Sequence, residues 1–142
     1  MKCGVAFGAI LTALAVQLAT AAEDIDYLIQ SCNDSVQGIT EDHKARYRLN
    51  EFPDDPVTHC FVRCIGMTLS LYDDEKGADL HANWEHLGKV VDEAEFVTAH
   101  RACLDERNLE TIEDPCDRAY VAFQCLKKEY GMDRIDNDTD RR

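Results

Sequence analysis

The sequence predicts an all-α domain of about six helices tied together by three disulfides, and three observations predict it. Apolar residues recur at helical spacing along most of the chain, while no segment alternates apolar and polar residues long enough to suggest a sheet. Only three prolines and seven glycines interrupt those patterns. Six cysteines remain once an N-terminal leader is set aside, an even number in a chain bound for an oxidising compartment.

The leader is the stretch MKCGVAFGAILTALAVQLATA. One Lys, an apolar run to Leu18, and small residues at Ala19 and Ala21 around Thr20 have the form of a secretory signal peptide. The expected cut follows Ala21, with Ala22 as the alternative. A membrane anchor is the competing reading, disfavoured by the small-residue flank and the lack of a second apolar segment. Residues 22–142 then make one domain of 121 residues, long enough for a core of its own. Cleavage also removes Lys2, leaving 14 basic against 28 acidic residues, a formal charge of −14. That excess is spread along the chain and repels phosphates and anionic lipid, which excludes a nucleic-acid partner.

The elements follow in order. Ala22–Val36 carries acids in its first turns and Ile25, Leu28 and Cys32 on one side, a helix pattern broken at Gly38. Thr40 is the expected N-cap of a short second helix ending near Asn50. Pro56 suits the first position of a third, from Val57 to about Tyr72, the most apolar part of the mature chain. Val57, Phe61, Ile65, Thr68, Leu69 and Tyr72 form one stripe on it; Cys60, Cys64, Met67 and Leu71 form an adjacent one. A fourth helix carries Leu80, Trp84 and Leu87, with Gly88 near its end. A fifth spans 92–108 with Val97, His100 and Leu104 at helical spacing. The sixth spans 113–131, with Gly131 as the C′ residue. Residues 131–142 read as a polar tail.

Cys60 and Cys64 sit one helical turn apart with nearly parallel Cβ bonds, a poor geometry for bonding to each other. Each therefore reaches a different element, and the third helix becomes a hub. Cys116 and Cys125 point to opposite sides of the sixth helix. Several connectivities stay open on this ground alone. A zinc site built from His59, Cys60 and Cys64 is the competing use of these thiols. The spacing is not a usual zinc motif and no second close Cys/His pair follows, so neither metal nor cofactor is expected.

The gaps between the six cysteines, 27, 3, 38, 12 and 8 residues, resemble the signature of the insect odorant-binding proteins, the pheromone-binding and general-odorant-binding family. The stretch YRLNEFPDDPVTHCFVRCIGMTLSLYDDEKG is also similar to the WEYP…TQCYIKC…LFD…G region of some fly and mosquito members. The resemblance implies the pairs Cys32–Cys64, Cys60–Cys116 and Cys103–Cys125, and helices arranged around a central apolar ligand cavity. It implies a secreted carrier of odorants or pheromones in sensillum lymph, haemolymph or saliva. Its expected partners are a small hydrophobic ligand and a membrane chemoreceptor, and its expected state is a monomer or weak homodimer. A fatty-acid or other lipid carrier or scavenger on the same fold is the alternative. Staples suit a cup, because a void forfeits packing contacts at a cost on the order of 20 cal/mol per Å³.

Candidate ligand contacts are the apolar side chains of helices three to six: Phe61, Ile65, Leu69, Tyr72, Leu80, Trp84, Leu87, Phe96, Val97, Tyr120, Phe123 and Leu126. Plain core packing competes for every one. Tyr72, Trp84 and Tyr120 are favoured because a polar tip could orient a ligand. His100 joins the set as a partner for a ligand carboxylate, with Arg101 and Arg118, each close to a cysteine, as further cations; a satisfied structural histidine is the preferred reading of His100. Protonation of His43, His59, His81, His86 and His100 could loosen the cup at about pH 5–6. Gating by the tail is disfavoured, since only Met132 and Ile135 could insert. The sequons at Asn33 and Asn137 are expected to stay unglycosylated. An enzyme is not expected: there is no CCxxHD-like stretch or glycine-rich calcium loop, and Ser31, Ser35 and Ser70 have no nucleophile-elbow setting.

Overall fold

The computed structural model describes residues 20–132. The expected leader up to Ala19, the tail beyond Met132 and the Asn137 sequon lie outside them. Among the described residues the chain forms six α-helices: α1 (Thr20–Asn33), α2 (Glu41–Arg48), α3 (Pro56–Thr68), α4 (Leu80–His86), α5 (Glu93–Glu106) and α6 (Pro115–Gln124). Four of them start on an aspartate. The side chains of Asp55, Asp79, Asp92 and Asp114 each accept from a backbone N–H of the first turn, a cap contributing roughly 1 kcal/mol. Thr40 caps α2 as expected, and His43 returns the favour by accepting from the Thr40 N–H, standing where a Glu or Gln usually completes the capping box.

Helix α3 stops at Thr68, short of the expected Tyr72. Ser70 turns to φ +57°, the Leu71 N–H bonds to the Gly66 carbonyl at 2.8 Å, and the Ser70 N–H bonds to that of Met67. This is the Schellman closure. A serine stands where glycine would have announced it, which is why the pattern read on as helix. The reversed chain lays Tyr72 across Gly66, whose missing side chain leaves the room: a Cβ there would lie 2.8 Å from Tyr72 Cβ. Tyr72–Asp73 (β1) then pairs antiparallel with Gly77–Ala78 (β2), Tyr72 opposite Ala78. Two-residue strands are too short to leave an alternating signal. The sixth helix keeps α geometry only to Gln124. Residues 125–131 continue in tighter turns that close on Gly131 at φ +72°, with the Met132 N–H bonded to the Lys127 carbonyl.

Three disulfides fix the arrangement. Cys32–Cys64 joins α1 to α3, Cys60–Cys116 joins α3 to α6, and Cys103–Cys125 joins α5 to the end of α6, with Cα separations of 6.0, 4.5 and 5.8 Å. These are the pairs the resemblance implied, and they make α3 the hub. Helices α3 and α6 share the most extensive packing in the fold. The core is nevertheless divided. One cluster gathers Ile29, Cys32, Val36, Tyr47 and Phe61, where the rings of Tyr47 and Phe61 stack at 4.1 Å. The other gathers Tyr72, Leu80, Phe96, Leu104, Ala119, Ala122 and Leu126.

Candidate functional site

Between the two clusters lies a cavity of about 310 Å³, near the lower end of the roughly 300–1,000 Å³ typical of small-molecule sites. Ile25 and Leu28 wall it from α1, Val62, Ile65 and Gly66 from α3, and Ala119, Ala122 and Phe123 from α6. Phe52, Leu69, Leu71, Tyr72, Ala78 and Leu126 complete the apolar lining, and Met132 brings the last described residue to it. Helices α3 and α6 pack closely here, and α6 brings the small residues Ala119 and Ala122 to the lining. No Asp, Glu, Lys or Arg occurs among the described residues of the lining, although the chain carries 28 acids and 15 bases. Asn50 and His86 line it while remaining exposed, so they mark its mouth.

The cavity's inner polar corner is made by buried Asn83 and half-buried Tyr130. Asn83 is buried on α4, and its Nδ2 donates to the carbonyls of Leu71 (3.0 Å) and Asp79 (2.7 Å). Its Oδ1 accepts the Tyr130 hydroxyl at 2.7 Å. Burial pushes the Tyr130 phenol up to about 12, so it stays neutral at physiological pH. Tyr72 contributes its ring to the wall, while its hydroxyl is buried with no partner among the described residues. Burial first, then the nearby Asp74 carboxylate, raises its pKa. Asp74 itself is paired with Arg63.

Of the residues the sequence nominates, Ile65, Leu69, Tyr72, Phe123 and Leu126 line this cavity. Phe61 is fully buried in the first cluster. Leu80 and Phe96 belong to the second, with Trp84, Leu87 and Val97 packed at its edge. The Trp84 Nε1–H donates to the Val91 carbonyl at 2.8 Å, holding the α4–α5 loop. The Tyr120 hydroxyl donates to the Phe52 carbonyl at 3.0 Å. His100 donates from Nδ1 to the Phe96 carbonyl, and its Nε2 lies 3.3 Å from the Glu129 carboxylate, tying α5 to the turns after α6. Arg118 is turned to the Ile112 carbonyl, and Arg101 is exposed. The α1 wall was readable in the Ile25–Leu28–Cys32 stripe. Asn83 and Tyr130 carry no periodic signal.

Outside the cavity, His59 bridges Asp117 of α6 and Asp54 of the α2–α3 loop at 2.7 Å each, its ring stacked on Tyr120. Burial pushes its pKa down, but the hydrogen bonds and charges of the two carboxylates outweigh that and raise it. The Glu93 carboxylate likewise raises exposed His81. At both sites the folded protein favours the protonated ring, the opposite of an acid-triggered loosening.

Residues 15–129 match the model of the PBP/GOBP family. The chain belongs to that family. Among its relatives, general odorant-binding protein 99b of Drosophila melanogaster is 33% identical over 73% of this chain and 70% of its own length. Odorant-binding protein 22 of Aedes aegypti is 26% identical over 90% of this chain and 91% of its own. Among solved structures, a crystal structure of Anopheles gambiae odorant-binding protein 22a is 63% identical, with a TM-score of 0.70 over 74% of this chain and 98% of that one. Another, of the same mosquito protein with bound odorant cyclohexanone, is 62% identical, with a TM-score of 0.71 over 75% of this chain and 91% of that one. The PBP/GOBP fold thus accounts for the three bridges and the helices they join.

Proposed function

We propose that this chain is a secreted carrier of small, neutral, hydrophobic molecules of the odorant class, holding them in the cavity between the two core clusters and moving them through an aqueous extracellular fluid. The observation that carries the reading is the lining itself: apolar walls, one satisfied polar corner and no charged side chain among the described residues. Burying a charge in such a site without a partner costs far more than burying a neutral group. The cyclohexanone held by the mosquito relative is a ligand of that kind. Ile65, Leu69, Tyr72, Phe123 and Leu126 are the sequence-nominated contacts that this reading keeps.

Carriage of fatty acids is the alternative, and the lining disfavours it, because no Lys or Arg occurs among its described residues to meet a carboxylate. Delivery to a membrane chemoreceptor, in sensillum lymph, haemolymph or saliva, and a monomer or weak homodimer as the working form, extend the reading. Native mass spectrometry of the secreted protein with organic extraction tests it. Co-purifying or added neutral volatiles at one per chain support odorant carriage; stoichiometric fatty acid supports lipid carriage instead.

A further inference from the structure

From the Asn83–Tyr130 pair we infer that the cavity selects ligands carrying a hydroxyl or N–H donor over matched ketones, ethers and esters. The inference rests on the carrier reading and names the chemistry within it. Its starting point is the direction of each hydrogen bond. Asn83 Nδ2 faces two carbonyl oxygens, so both of its protons are spent on Leu71 and Asp79. That fixes Oδ1 toward Tyr130, and the phenol must donate to it. Every proton of the Asn83–Tyr130 pair is then committed, and its free capacity is lone pairs, chiefly those on Tyr130 Oη. A ligand hydroxyl can donate into them. The Tyr72 hydroxyl, also in the lining, has no partner among the described residues, but it is buried with almost no surface open to a ligand.

A ketone or ether brings only lone pairs. It must either leave its oxygen unpaired against the phenol or take the Tyr130 proton, which strands Asn83 Oδ1 in a buried site. A carboxylate brings the same mismatch with a charge added. Asn50 and His86 do not restore the balance, because they are exposed at the mouth, where a contact to ligand replaces one to water.

The test is displacement of a fluorescent apolar probe from the disulfide-intact protein by cyclohexanol and cyclohexanone, then by 4-ethylphenol and 4-ethylanisole. The donor of each pair should bind roughly 3- to 10-fold more tightly, the worth of one net hydrogen bond. In Tyr130→Phe the probe should still bind while that ratio falls toward one. Equal or tighter binding of the ketone and the ether by the wild-type protein overturns the inference while leaving the carrier reading intact. So does a ratio that survives Tyr130→Phe. If the variant does not fold, the wild-type ratio decides alone. A probe that does not bind the wild-type protein at all overturns the carrier reading, and this inference with it.

Discussion

Replacing Gly66 by alanine sets two opposing effects against each other at the cavity wall. In a helix interior the change favours folding by roughly 0.5–1 kcal/mol, because glycine loses more backbone freedom. Here the new methyl would lie 2.8 Å from Tyr72 Cβ and 3.7 Å from its Cγ. The neighbour cannot simply swing away, since it is the root of a side chain, not its tip. Tyr72 is paired with Ala78, and the residue before it is bonded to the Gly66 carbonyl. Relief must open that turn or push the ring into the cavity, an overpacking cost of roughly 1–3 kcal/mol. The net expectation is a loss of about 1 kcal/mol, or about 4 °C in Tm for a domain of this size. Thermal and urea unfolding of Gly66→Ala with the disulfides intact measures it, and probe affinity should fall with it. A variant that melts higher and binds the probe unchanged would refute the packing argument.

Two further outcomes follow from the bridges and from His59. The Cys60–Cys116 bridge spans 56 residues and Cys103–Cys125 spans 22. On loop entropy, removing the pairs by alanine should cost about 4.2 and 3.4 kcal/mol respectively; denaturant midpoints in the reverse order would contradict that account. The His59 pKa is raised in the folded state, so its contribution is full below the unfolded value of 6.5 and is lost as pH rises through the folded one. The stability difference between wild type and His59→Gln should therefore shrink from pH 6 toward pH 8.5, read from unfolding midpoints; a difference that widens with pH reverses the sign.

Much of the fold was legible because its punctuation is chemical. Thr40, Pro56, Gly88 and Gly131 each mark a helix boundary by what their side chains permit or lack. The end of α3 was not, because Ser70 adopts a conformation that a serine does not advertise. The site was legible only as burial. Phe61 and Ile65 stand one turn apart on the same stripe of α3, yet Phe61 is stacked under Tyr47 and Ile65 faces the cavity. Periodicity says which side chains leave water and is silent on whether they meet protein or a void. Tyr130 was hidden for another reason: beyond Gln124 the chain leaves α geometry, so helical spacing no longer projects its direction.

The carrier claim is tested most directly by titrating a fluorescent apolar probe into the disulfide-intact wild-type protein and into Ala122→Phe. Ala122 lies in the lining on α6 and is almost fully buried, and a phenyl ring there fills the space a ligand needs. Saturable one-to-one binding by the wild type, displaced by neutral volatiles and absent from a folded Ala122→Phe, is the predicted result. No saturable binding by the wild type, or equal binding by the filled variant, would contradict it.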